Sequence, residues 1–155
     1  MVIASYSLVA TMQPEKNRLL SNKTMRLEEH FERQVYSSKT ILLVDDEKDL
    51  GWILRKVFRD AGHRLLIANT VAEGLQKFKR ARKLDLTIVD LRVGKSSGIS
   101  FIRKAKTIKK DMKFAVVTAF GTAAMRTKAR RLGVRYFLDK PLKVEALLDI
   151  INQGC

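Results

Sequence analysis

A chain of 155 residues, 46% hydrophobic and 30% charged, has room for one well-buried domain and little room for two. Its formal net charge of +15 favours acidic or polyanionic partners without bearing on fold. The single cysteine, Cys155, excludes an intramolecular disulfide and fits a reducing, cytoplasmic setting, and no stretch reaches the roughly 20 apolar residues that span a bilayer.

The opening run MVIASYSLVATM is apolar but lacks the early Lys/Arg cluster and the cleavage pattern of a secretory signal. Pro14 and Glu15 open a helical period reaching to Tyr36, with Leu20, Leu27 and Phe31 on one face. Thr24 and Gln34 fall on its heptad seam and weaken it. Residues 1–38 therefore read as a leader, helical or flexible, that either supports a dimer or docks separately. They hold five Lys/Arg against four Asp/Glu, whereas residues 39–155 hold 26 against 12, so the basic character belongs to the domain expected over 39–155.

From Thr40 the pattern becomes regular. Ile41-Leu42-Leu43-Val44 is continuously apolar, as a strand covered on both faces should be, and LLIA at 65–68, LTIV at 86–89, FAVV at 114–117 and VRYFL at 134–138 repeat the pattern. Between the first two lies a helical stripe of Leu50, Ile53, Leu54, Val57, Phe58 and Ala61, closed by Gly62. Thr70 and Glu73 form a capping box that opens a second helix with Val71, Leu75 and Phe78 inward. Phe101, Ile102 and Ala105 mark a third, Thr122 to Leu132 a fourth, and Val144, Leu147, Leu148 and Ile151 a fifth. Five strand and helix pairs in strict alternation predict an α/β fold: a doubly wound (βα)5 domain of the flavodoxin-like kind, with a five-stranded parallel sheet and helices on both faces.

Ligands of such sheets bind beyond the carboxyl ends of the strands, and polar residues gather there. Asp45 and Asp46 follow the first strand, Asp90 ends the third, Thr118 follows the fourth and Lys140 the fifth. Each alone is an ordinary cap or loop residue; their convergence on one rim is harder to dismiss. Three neighbouring carboxylates stay ionised most simply around a hard divalent cation, and Mg2+ fits best. A lysine and a hydroxyl beside them suit the oxygens of a phosphoryl group in transfer. His30 and His63 have no second ligand at useful spacing and read as structural.

The stretches ILLVDDEKDL, LTIVDLRVGKSSG, VVTAF and YFLDKPL, in this order over residues 40–152, resemble the four signature regions of the response-regulator receiver family of two-component signalling. The resemblance implies a phosphoacceptor, not a turnover enzyme. Asp90 is matched to the phosphorylated aspartate, Asp46 to the direct magnesium ligand and Asp45 to its partner acting through water, with the backbone carbonyl of Arg92 completing the metal shell. Thr118 is matched to the hydroxyl that follows the phosphoryl group, Phe137 to the aromatic switch position, and Lys140 to the lysine that pairs with the aspartate, ahead of a cis bond to Pro141. A carboxylate attacks phosphorus without a general base, and Thr118 moving toward the phosphoryl group would let Phe137 rotate inward.

The sequence departs from the family in places. Val93 and Gly94 stand where many receivers have Met-Pro, and Phe137 replaces the commoner tyrosine. Arg92 and Phe120, both large, fall at positions that in the family flank the path of the hydrolytic water, which implies slow loss of phosphate.

As expectations, the upstream partner is a sensor histidine kinase or a histidine phosphotransfer protein, and a downstream protein meets the face made by the fourth helix, fifth strand and fifth helix. Arg126, Lys128, Arg130, Arg131 and Arg135 lie there, and Arg103, Lys104, Lys106, Lys109 and Lys110 on the third helix and its turn; they read first as a solvated face, then as a site for an acidic protein. Nucleic acid comes last, because aromatic interleaving is lacking. The 38 leader residues hold no output domain, so the chain reads as a stand-alone receiver. Two alternatives stay open: a receiver fragment of a longer transcription regulator, and a receiver-like module that binds without phosphate. A flavodoxin-like flavin binder is disfavoured because Asp45-Asp46-Glu47 would repel an unmetallated phosphate.

Overall fold

The computed structural model describes residues 38–119 and 121–153; the expected leader helix, Phe120 and Cys155 lie outside them. A structural unit begins at Ser38, one residue before the boundary read from the sequence. Its main sheet consists of β1 (Thr40–Val44), β2 (Arg64–Ala68), β3 (Leu86–Val89), β4 (Phe114–Thr118) and β5 (Tyr136–Asp139). These strands alternate with α1 (Lys48–Asp60), α2 (Val71–Arg80), α3 (Gly98–Ile108), α4 (Ala123–Arg131) and α5 (Val144–Asn152). All strand pairs are parallel, in the order β2-β1-β3-β4-β5. No helix among the described residues is long and apolar enough to cross a membrane.

Alternation along the strands sorts the core into two layers. Leu42, Val44, Val89, Phe114 and Val116 pack with Val71 and Phe78 of α2, Phe101, Ile102 and Ala105 of α3, and Ala129 of α4. Ile41, Leu43, Leu86, Ile88, Ala115 and Val117 pack on the other face with Leu54 and Phe58 of α1 and Leu147 and Ile151 of α5. In the first layer Phe78, Phe101 and Phe114 form a ring trio with centroids 6.1 to 6.5 Å apart, a spacing at which edge and offset contacts add to simple burial.

The expectation that every strand is covered on both faces holds for β1, β3 and β4, whose residues are all buried apart from the half-buried Thr40. It fails for β2 and β5, which are edge strands with mostly half-buried residues. The fifth strand also starts later than expected. Val134 donates its amide to Ala129 O at 3.1 Å and Gly133 to Arg130 O at 2.9 Å, so both belong to the turn closing α4, where Gly133 supplies a φ of +83°. The capping box is present with one change: Thr70 Oγ1 accepts from Glu73 N at 3.1 Å, and Glu73 Oε2 accepts from Asn69 N, not from Thr70 N. A short antiparallel hairpin pairing Arg92–Val93 with Ser96–Ser97 has no counterpart in the sequence reading, because two-residue strands leave no periodicity to read.

One core residue conflicts with its surroundings. Thr87 on β3 is fully buried between Leu42 and Phe114, and its hydroxyl has no hydrogen-bond partner among the described residues. Thr87→Val keeps the shape and removes the unsatisfied group, so stability should rise by about 1 kcal/mol, measured as a higher urea midpoint at unchanged slope.

Candidate functional site

The polar residues at the carboxyl rim are aimed by the sheet itself. The Asp45 amide donates to Ala68 O at 3.0 Å, the Asp90 amide to Val44 O at 3.0 Å and the Lys140 amide to Thr118 O at 3.1 Å. Each residue thus continues the parallel ladder one rung beyond its strand, which fixes the direction of its side chain. The order β2-β1-β3 reverses the winding next to β1, and Asp45 and Asp90 stand at the ends of the strands on either side of that crevice.

Lys140 Nζ donates to Asp45 Oδ2 at 2.8 Å, to Asp90 Oδ2 at 3.0 Å and to Glu47 Oε2 at 3.0 Å. The other oxygen of Asp90, Oδ1, accepts from the Thr118 hydroxyl at 2.8 Å and from Arg92 N at 3.0 Å. Asp45 Oδ1 accepts from Glu47 N at 2.8 Å. Asp45, Asp90 and Thr118 are buried while Asp46, Glu47 and Arg92 are exposed. Together with Gly94, Ala119 and Lys140, these residues except Thr118 border an open cavity of about 490 Å³.

The electrostatics follow from burial and pairing. Burial pushes the Asp45 carboxyl above its usual range, and this outweighs the lowering by the Lys140 hydrogen bond, the Glu47 amide and the Lys140 charge; the nearby Asp90 charge raises it further. For Lys140, burial alone would lower the pKa, but the hydrogen bonds it donates to Asp45, Asp90 and Glu47 prevail and hold it above the ordinary lysine range.

Of the expected residues, Asp45, Asp90, Thr118 and Lys140 form one hydrogen-bonded cluster, and Asp46 and Arg92 stand on its wall. Glu47 is a member that sequence reasoning did not assign; it lies 93 positions from Lys140, and no local pattern signals that contact. Phe137 is elsewhere: half-buried on β5, with the guanidinium carbons of Arg126 and Arg130 at 5.8 and 5.3 Å from its ring centroid. Arg126 is also paired with Asp139, so this part of the basic face is held by specific contacts as well as by solvent. The Lys140–Pro141 bond is cis, as expected. His63 is buried, with its ring edge-on to Phe58 at 6.5 Å, in keeping with a structural residue.

Among the described residues no three acidic, histidine or cysteine side chains stand as a ready-made metal cage; the positive charge between Asp45 and Asp90 is the Lys140 ammonium. The donor chemistry nevertheless suits a hard cation, because Asp45, Asp46 and Asp90 are carboxylates bordering one cavity and no thiol or imidazole borders it.

The family model described as "Response regulator receiver domain" matches residues 41–152. Among curated proteins, the chain is 31% identical to the acid tolerance regulatory protein ActR of Sinorhizobium medicae over 74% of this chain and 59% of that protein. It spans between 26% and 59% of the length of the first curated relatives it matches. Among solved structures, a CheY-like receiver domain protein from Methanospirillum hungatei has a TM-score of 0.72 at 26% identity, over 76% of this chain and 93% of that one. A response regulator from Burkholderia pseudomallei, described with a phosphorylated aspartic acid, calcium ion and citrate, has a TM-score of 0.68 at 27% identity, over 72% of this chain and 65% of that one.

Proposed function

The chain belongs to the response-regulator receiver domain family, a family of phosphoacceptor signalling domains, and on that premise we propose that Asp90 is the residue that takes the phosphoryl group, within a receiver domain spanning 39–155. The observation that carries this is the environment of its carboxylate. Asp90 is buried at the sheet's carboxyl rim yet opens on the cavity, and its two oxygens accept from Thr118, the Arg92 amide and Lys140.

Receiver domains depend on a divalent metal, and for this chain Mg2+ is the ion that Asp45, Asp46, Asp90 and the Arg92 carbonyl would hold. Bound there, it would supply charge that draws phosphoryl oxygens in and offsets their negative charge. The remaining work falls to the chain. A carboxylate oxygen of Asp90 forms the bond to phosphorus as the bond to the donor's leaving atom breaks, giving an acyl phosphate. Lys140, tethered to Asp45 and Glu47 as well as Asp90, is placed to follow the added charge, and the Thr118 hydroxyl to turn from Asp90 Oδ1 to a phosphoryl oxygen. Thr118 pairs in register with Asp139, two residues from Phe137, so its movement bears on the β5 surface where α4 and α5 flank the strand.

The upstream partner proposed is a sensor histidine kinase or a histidine phosphotransfer protein, and the downstream one a protein meeting the α4, β5 and α5 face, with dimer formation as a further output. A cytoplasmic signalling role without enzymatic turnover fits these partners.

Incubation with Mg2+ and acetyl phosphate, read by intact mass, should add one phosphoryl group to the parent and none to Asp90→Asn. If neither gains mass, a phosphate-independent binding module replaces this account. Arg92, exposed on the cavity wall, is proposed to hinder the hydrolytic water. Arg92→Asn should therefore shorten the lifetime of the phosphorylated form in a mass-resolved decay; an equal or longer lifetime would refute the role.

A further inference from the structure

The opposite rim of the sheet holds a second concentration of charge. β4 starts at Phe114 and β5 at Tyr136, about 13 Å along the strand from the Thr118 end at roughly 3.3 Å per residue. Here a cavity of about 280 Å³ is bordered by Lys106, Lys110, Lys113 and Arg135, with Asp111 the one acid on its wall. Four cations and one carboxylate border this hollow, with Phe114 and Tyr136 also on its wall. Like charges so close repel, and a sequence that keeps them together needs a reason.

The C-terminal dipole of α3 accounts for part of it, since such an end attracts cations, but it is equivalent to only about half a negative charge. In formal charges the wall remains positive by roughly two and a half after that allowance. One cation is also fixed in place. Lys106 Nζ donates to Lys110 O at 2.8 Å and lies 5.5 Å from the Phe114 ring centroid. Lys106 keeps two further N–H donors, while Lys110 and Arg135 are exposed at the edge. At about 280 Å³ the hollow is too small for a peptide helix or a nucleic-acid strand and has room for a two-phosphate group.

We propose that this hollow binds a small, multiply charged phosphate anion of the pyrophosphate class, held by Lys106, Lys110, Lys113 and Arg135. The site stands apart from the Asp90 rim and does not depend on its chemistry.

Calorimetric titration of the full chain with pyrophosphate, in metal-free buffer of fixed ionic strength, tests it. The parent should bind saturably. Lys110→Gln with Arg135→Gln should weaken binding at least about tenfold, the loss expected when charge-assisted hydrogen bonds disappear, and the charge-keeping exchange Lys110→Arg with Arg135→Lys should retain it. Asp90→Asn, and Arg55→Gln with Lys56→Gln on α1, should bind as the parent does. A nucleoside diphosphate titrated alongside separates the sources: tighter binding than pyrophosphate assigns the hollow to a nucleotide, equal or weaker binding to a free polyanion. An equal loss in the α1 pair, loss in Asp90→Asn, or failure of the parent to saturate would overturn the proposal, leaving the overall charge or the other rim as the anion's seat.

Discussion

Gly98→Ala should destabilise the protein by at least about 3 kcal/mol and abolish phosphorylation in whatever fraction still folds. Gly98 is the first residue of α3, and its amide donates to Leu91 O at 2.9 Å, which draws the helix start against the chain leaving β3. A Cβ at this position would lie 1.9 Å from the Asp90 carbonyl oxygen and 3.0 Å from Leu91 Cα. Both obstacles are backbone, so no rotamer relieves them; either α3 moves out or the Asp90 segment moves. The second movement would shift Asp90 relative to the Arg92 amide and the Thr118 hydroxyl that hold its Oδ1. Gly51→Ala is the matched control, since a Cβ there meets Ile67 methyl groups at 3.4 Å and a Leu43 methyl at 3.9 Å, ordinary packing distances, and alanine is the better helix former. Urea unfolding of both variants, with acetyl phosphate labelling of each, separates a general intolerance of glycine replacement from the close approach at Asp90.

Lys140→Met should cost about 2 to 4 kcal/mol at neutral pH, because removing one partner of a buried ion pair leaves the other charges uncompensated. Asp45 and Asp90 are 1% and 7% exposed, and both lose their ammonium partner. Two of the interactions that lower the Asp45 pKa come from Lys140, so in the variant that carboxyl should rise further above the usual carboxylate range. A folded-state pKa above the unfolded value means that the native state binds the proton more tightly. Stability then falls as pH rises from the unfolded pKa through the folded one. The deficit relative to the parent should accordingly be largest near neutrality and shrink toward about pH 4. Millimolar Mg2+ should recover more stability in Lys140→Met than in the parent, since a cation among the carboxylates replaces the missing charge. A deficit independent of both pH and Mg2+ would mean that Lys140 contributes packing alone.

The sheet was legible from the sequence because β1, β3 and β4 are covered on both faces and so must be continuously apolar. The edge strands were located but misjudged in burial, and the start of β5 was misplaced, because Val134 is as apolar in its turn as it would be in a strand. Asp45, Asp90, Thr118 and Lys140 could be placed together from chain order alone, since a parallel sheet delivers every strand end to one rim. Glu47 could not, because its role depends on where a lysine from the far end of the chain comes to rest. Nor could the surroundings of Phe137: Arg126 and Arg130 read as surface charges, and only α4 packing beside β5 brings them over the ring. The hollow beneath β4 and β5 was hidden for the same reason, as its cations come from a helix end, the turn after it and the residue ahead of an edge strand.

The central claim is that the phosphoryl group resides on Asp90, and the most direct measurement locates it chemically. Borohydride reduction of the acetyl phosphate-treated protein converts an aspartyl phosphate to homoserine, and peptide mapping then reads the modified position. The account predicts homoserine at Asp90, dependent on Mg2+ and absent without phosphodonor. Homoserine at Asp45, Asp46 or Asp85 in place of Asp90, or a phosphoryl group that resists reduction, would contradict it.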